Sequence, residues 1–165
     1  MDAYSTTNWA PAFTAVAGSS AALTGLLFVA LSINLSQVIK APGLVGRAIE
    51  VLVLLTSVLV VSTLLLMPGQ PAGSAAIEIL SIAVLADAVV SYIQLRAPRK
   101  ALQVSNFQFA MRVLGSQVGP IFLVVGGVSL LAQNGGGLYW VVPGMAATMV
   151  AAIVGAWVLL VEIVR

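Results

Sequence analysis

Five acidic and seven basic side chains are all that the 165 residues offer for ionic chemistry, and neither cysteine nor histidine is present. Disulfides, thiolate and imidazole metal sites and the commonest neutral-pH proton shuttle are thereby excluded. A carboxyl can still carry a proton or hold a cation, and Asp87 is the acid whose position demands an explanation. It stands inside an apolar stretch, about nine residues before Arg96, which at ~1.5 Å per helical residue is roughly 13 Å. A carboxylate that deep in a bilayer costs on the order of 2.5–3.5 kcal/mol or more, so it has to face a cavity or a partner. Counting inward from Arg47, Thr56 and Ser57 reach a similar depth, and Gln117 lies somewhat shallower. Ala83, Ser91 and Gln94 share the helical face of Asp87 and make a polar stripe toward Arg96. The expectation is an Asp87 that is protonated or hydrogen-bonded to Thr56, Ser57 or Gln117, handling a proton or cation or else tying helices together.

The remaining charges read as boundary residues. Arg47 and Glu50 are three apart, and Asn34, Arg112 and Glu162 end other apolar stretches at about the same level, so these five predict one ion-pair layer. Glu50 with Arg112 is its expected cross-helix pair. Glu78 is nine residues before Asp87, half a turn out of phase, so it faces away and sits in the opening turns of its helix, where the dipole favours an acid.

Enzyme chemistry fails on inventory, and no catalytic residue, cofactor site or metal site is expected. Haem, metalloprotease and quinone sites that use His have no ligand, an aspartyl intramembrane protease needs a second deep Asp, and Ser19, Ser20, Ser57 and Ser62 have neither a His base nor a Lys at their depth. Gly135, Gly136 and Gly137 lack the strand–turn–helix context of a phosphate loop and predict a turn.

The elements that position these residues follow from hydropathy. Hydrophobic residues make up 61% of the chain and charged residues 7%, against about 45–50% and about 25% in soluble domains. Such a surface needs lipid as its solvent. Spans of about 20 residues fall near 10–35, 47–67, 74–95, 111–132 and 138–164, separated by segments marked by Pro, Gly or charge. The fold expected is all-α: a single-domain polytopic membrane protein, a bundle of five transmembrane helices. Lys40 and Arg47, then Arg96, Arg99, Lys100 and Arg112, then Arg165 all fall on one side of that map. The opposite loops and the N-terminal tail have no Lys or Arg, which predicts an N-out/C-in orientation. The tail also lacks the positive lead of a cleaved signal and reads as retained. Trp9, Tyr139 and Trp140 then mark the outer interface, and Tyr92, Phe107, Phe109 and Trp157 the inner one; the segment from Arg96 to Arg112 is an interfacial helix or an ordinary loop. Seven positive residues are too few for a nucleic-acid footprint.

Small residues at three- and four-residue spacing mark helix contact faces in lipid. Ala15, Gly18, Ala22 and Gly25 on the first span, Gly115 and Gly119 on the fourth, and Gly144, Thr148, Ala151 and Gly155 on the fifth are expected to form the bundle core or an oligomer seam. The Leu- and Val-rich second span reads as more lipid-facing. Pro120 and Pro143 lie inside spans and predict kinks, structural or gating.

The run Gly18-Ser19-Ser20-Ala21-Ala22-Leu23-Thr24-Gly25-Leu26-Leu27-Phe28-Val29-Ala30-Leu31-Ser32-Ile33-Asn34-Leu35, with Gly46-Arg47 and Met67-Pro68-Gly69-Gln70, resembles small actinobacterial multi-pass membrane proteins of unassigned function. Some of those are labelled modulators of a membrane-bound protease. The resemblance covers the first two spans; it implies a bacterial plasma membrane and no catalytic residues. Together these features predict a non-enzymatic, homo-oligomeric channel or transport-type protein contacting membrane lipids, with Asp87 near its pathway. The alternative is an accessory subunit of a larger membrane complex such as a protease or transporter.

Overall fold

A computed structural model describes residues 3–41, 43–96 and 106–164. A short 3-10 turn, Thr6–Trp9, leads into α1 (Ala10–Ile33), whose Pro11 sits in the first turn, where a missing N–H breaks no helical bond. Next come α2 (Leu35–Lys40), α3 (Leu44–Leu64), α4 (Ala72–Arg96), α5 (Asn106–Ala132) and α6 (Leu138–Val164). Five of the six are long and apolar enough to cross a membrane, which makes the chain a multi-pass membrane protein. The one-and-a-half-turn α2 is an addition to the expected elements, and Gly43, at φ 86°, makes the left-handed turn from it into α3. Of the expected interfacial segment, 97–105 lie outside the described residues, as do Arg165 and the side chain of Phe107.

Helices α3, α4, α5 and α6 form a closed ring in which each packs against the next and α6 returns to α3. Helix α1 lies outside the ring, against α3. The expectation that the second span faces lipid is therefore overturned: 56% of the α3 span is buried, against 11% for α1. Leucine and valine suit lipid and core equally, so residue type alone cannot assign that face. Its buried residues, among them Ala48, Val51, Leu55, Val58, Ser62 and Leu65, recur every three or four positions and touch helices on both sides. The small-residue stripe of α1 is likewise not in the core; Ala15, Gly18, Ala22 and Gly25 are all exposed, and α1 is held by Phe13, Leu27 and a Ser20 hydroxyl that donates to the Leu55 carbonyl at 2.7 Å.

Small residues work instead between α5 and α6. A Cβ on Gly119 would collide with the Thr148 hydroxyl and lie 2.8 Å from its backbone N. Gly144 meets the Leu123 backbone N at 3.0 Å, and Gly126 meets that of Val141 at 3.0 Å. Gly115 has open space around it, so only half of the expected α5 pair is a contact. Pro120 and Pro143 lie inside continuous helices.

The two ends of the ring differ. At one end Ala3 accepts a hydrogen bond from the Leu138 N–H at 2.9 Å and Trp9 meets Tyr139 edge-on at 4.8 Å, so the N-terminal segment clasps the α5–α6 turn. Gly135, Gly136 and Gly137 make that turn with positive φ. At the other end lie the first turns of α3 and α5 and the last turns of α4 and α6, bringing together Arg47, Arg96 and Arg112, with Lys40 on α2.

Candidate functional site

Among the described residues the apolar core divides into two clusters, with the division at the level of Asp87. On α3 the boundary falls between Val58 and Leu55, on α4 between Ala83 and Val90, and on α6 between Met145 and Ala152. In those three gaps stand Ser57, Asp87 and Thr148. Ser57 and Thr148 are buried, and each hydroxyl donates to a carbonyl of its own helix, Leu54 and Gly144, at 2.8 Å. Their protons are committed, and only lone pairs remain to offer.

Asp87 is half-buried, and its Oδ1 is buried with no hydrogen-bond partner among the described residues. The expected partners go elsewhere. Thr56 is exposed on the outer face of α3, since one residue's step turns a helix by about 100°. Gln117 reaches α4, but one turn nearer the charged end, where its amide donates to the Ser91 hydroxyl at 3.2 Å. Position along a helix does not fix direction around it.

From Ser91 toward the charged end the seam between α4 and α5 stays polar. The Gln94 amide, 3% exposed, donates both to Glu50 Oε1 at 2.7 Å and to the Ser116 hydroxyl at 2.8 Å. Arg112 makes a charge-assisted contact with the other Glu50 oxygen, so Glu50 of α3, Gln94 of α4 and Ser116 and Arg112 of α5 form one cluster. Ser116 was not anticipated, although it follows Arg112 by four residues and so shares its helix face.

The expected layer thus divides. Arg47 Nη1 lies 2.7 Å from Glu162 Oε1, an ion pair that joins α3 to α6, while Arg47 Nε and Nη1 and Glu162 Oε2 are buried without a hydrogen bond. Asn34 is no part of the layer; its amide donates to the Ala30 carbonyl at 2.9 Å and closes the end of α1. Arg96 covers the Tyr92 ring at 4.7 Å. Glu78 accepts from the Gln70 amide at 2.6 Å near the opposite end, away from Asp87.

On the other side of Asp87 the seam is apolar and tight, with Leu80 and Ala76 against Gly127, where a Cβ would lie 2.7 Å from Leu80 Cγ. The site is therefore a carboxyl at the inner end of a polar track, a line of hydrogen-bonded side chains (Ser91, Gln117, Gln94 and Ser116) that leads toward the charged end. An outward-facing apolar groove of about 210 Å³ between α1, α3 and α6, lined by Leu27, Leu55 and Trp157 among others, is separate from it.

Fold and site together define a class: a helical multi-pass membrane protein with a mid-bundle carboxyl. Compared with known protein families, characterised proteins and solved structures, the chain matches none. The resemblance of its first two spans rests on the quoted residues alone.

Proposed function

We propose that this is a non-enzymatic protein of a bacterial plasma membrane, a small homo-oligomeric channel or transport-type protein in which Asp87 handles a proton or cation. The observation that carries the reading is the buried, unpartnered Asp87 Oδ1 at the junction of the two core clusters, at the end of the polar track. A structural carboxyl would be expected to spend its oxygens on the neighbouring helix; intramembrane acids left without such a partner are functional by default. Reconstituted protein is expected to dissipate an imposed ion or proton gradient, and Asp87→Asn to abolish this. Vesicles with no flux, and a variant unchanged in every assay, would sink the proposal.

The orientation proposed is N-out/C-in, supported by the position of every Lys and Arg in the sequence. Because the chain has no native cysteine, single substitutions report topology cleanly. In intact cells an impermeant maleimide is expected to label Asn134→Cys and to spare Lys40→Cys until the membrane is opened; the reverse pattern would invert the assignment. Both sites are exposed.

The exposed Ala15, Gly18, Ala22 and Gly25 face of α1 supports a helix–helix contact within the membrane, either with another copy or with a foreign subunit. That open face also supports a second reading, an accessory subunit of a larger membrane complex such as a protease or transporter. Purification from native membranes separates them: a closed homo-oligomer supports the channel, and one stoichiometric foreign partner the accessory subunit.

A further inference from the structure

We infer that the species handled at Asp87 is the proton and not a metal cation, and that it arrives from the charged end along the α4–α5 seam. This rests on the transport reading above and names its substrate.

A cation stripped of water asks for many oxygens; calcium, for instance, takes about six to eight. Asp87 is one carboxyl. The other acids among the described residues are committed or distant, Glu50 to Arg112 and Gln94, Glu162 to Arg47 and Glu78 to Gln70. Ser91 accepts from Gln117. At the level of Thr148 the α5–α6 approach at Gly119 has no room for a Cβ, so a coordination shell does not fit there. A proton needs one oxygen and no such space.

The other oxygens at this level are few. Ser57 and Thr148 have given their protons to helix carbonyls and can only accept. Across the α4–α5 seam, Ser91 of α4 faces Gln117 of α5 and Leu80 faces Gly127. Antiparallel counting between those two contacts sets Asp87 at the level of Pro120 and Ile121. Proline has no N–H, so the Ser116 carbonyl lacks the donor a regular helix would supply. Among the described residues this level offers hydroxyl oxygens and one carbonyl as acceptors for a carboxyl proton, and no second carboxylate to complete a cation shell. The charged groups on the helices packed against α4 are Arg47 and Glu50 on α3 and Arg112 on α5, all toward the charged end. Between them and Asp87 stand Gln94, Ser116, Gln117 and Ser91; beyond it are Ala83, Leu80 and Ala76. A proton added to Asp87 from that end leaves a neutral acid, and its loss restores the carboxylate.

The test uses the full chain in vesicles of phosphatidylethanolamine and phosphatidylglycerol carrying, separately, a pH, a sodium and a potassium gradient. Expected is rapid collapse of the pH gradient alone, restored to the rate of empty vesicles by Asp87→Asn and kept by Asp87→Glu. Asp87-dependent sodium or potassium flux without proton flux would overturn the proton assignment and leave the transport reading standing; no flux of any kind would overturn both. Should Asp87→Asn fail to fold, the wild-type protein decides through the three gradients: collapse of the pH gradient alone supports the inference, and sodium or potassium flux without proton flux overturns it.

Discussion

Gly119→Ala is expected to lower the stability of the folded bundle more than any other glycine-to-alanine change outside the turns. The added Cβ would meet Thr148, with the backbone N at 2.8 Å and Cα at 2.9 Å as well as the hydroxyl. Rotating a side chain cannot relieve a collision with backbone, so α5 and α6 must separate along their seam. Overpacking of this kind costs about 1–3 kcal/mol, and here it also disturbs the contacts of Gly126 and Gly144 on the same interface. The comparison that isolates the cause uses Gly115→Ala, one turn away on the same helix, and Gly18→Ala on α1, where nothing stands within 4 Å. Alanine is the better helix former by about 0.8–1.0 kcal/mol in water, so those two are expected to be neutral or stabilising. Gly155→Ala should fall between, since its nearest neighbour is a Val51 methyl group at 2.9 Å. Unfolding in mixed detergent micelles, followed by helix signal, gives the order. Equal losses at Gly115 and Gly119 would mean that the α5–α6 seam is not the close contact described.

That contrast also explains what could be read from residues alone. Spans announce themselves because crossing a bilayer fixes a length, and Pro68, Gly69 and the Gly135–Gly137 run punctuate them. Small residues announce close packing, but a helix can carry them on a face that its own chain leaves open, as α1 does from Ala15 to Gly25. In water, burial and hydrophobicity go together; in lipid they do not, so the central position of α3 left no trace in its Leu and Val content. The six residues of α2 are too few to make a periodic pattern. For the site, depth was legible by counting from Arg96 and Arg47, which placed Asp87, Ser57 and Gln117 near one another along the membrane normal. Direction around the helix was not, because it depends on which neighbours α3 and α4 choose. Thr56 faces outward for that reason, and Gln117 finds Ser91 instead of Asp87. The Glu50–Arg112 pair was legible because two long, opposite charges at one end of adjoining helices can find each other across several rotamers.

Removing the Glu50 carboxylate should have the largest effect of any single change at the charged end. Glu50 is 5% exposed and accepts from two partners, Arg112 and Gln94. Glu50→Ala leaves the Arg112 guanidinium, itself with 18% of its side chain exposed, beside a void, and strips Gln94 of one of its acceptors. Breaking a buried ion pair from one side costs about 3–5 kcal/mol, chiefly because the remaining charge is uncompensated. Glu50→Gln is expected to cost less, since its amide oxygen can still accept from Gln94. The informative variant is Glu50→Ala with Arg112→Ala: with both charges gone, the loss should be smaller than for Glu50→Ala alone, a non-additivity that residues sharing one network produce. Equilibrium unfolding of the four proteins closes the cycle. If the single losses simply add, the pair is an exposed contact of little value, and the polar track toward Asp87 lacks the fixed mouth that Glu50, Gln94 and Ser116 give it. If they couple, Asp87→Asn can be compared with Glu50→Gln for gradient collapse. The first should abolish transport with the fold intact. The second should slow it while lowering stability, because Glu50 holds the entrance in place and does not itself lie at the inner end.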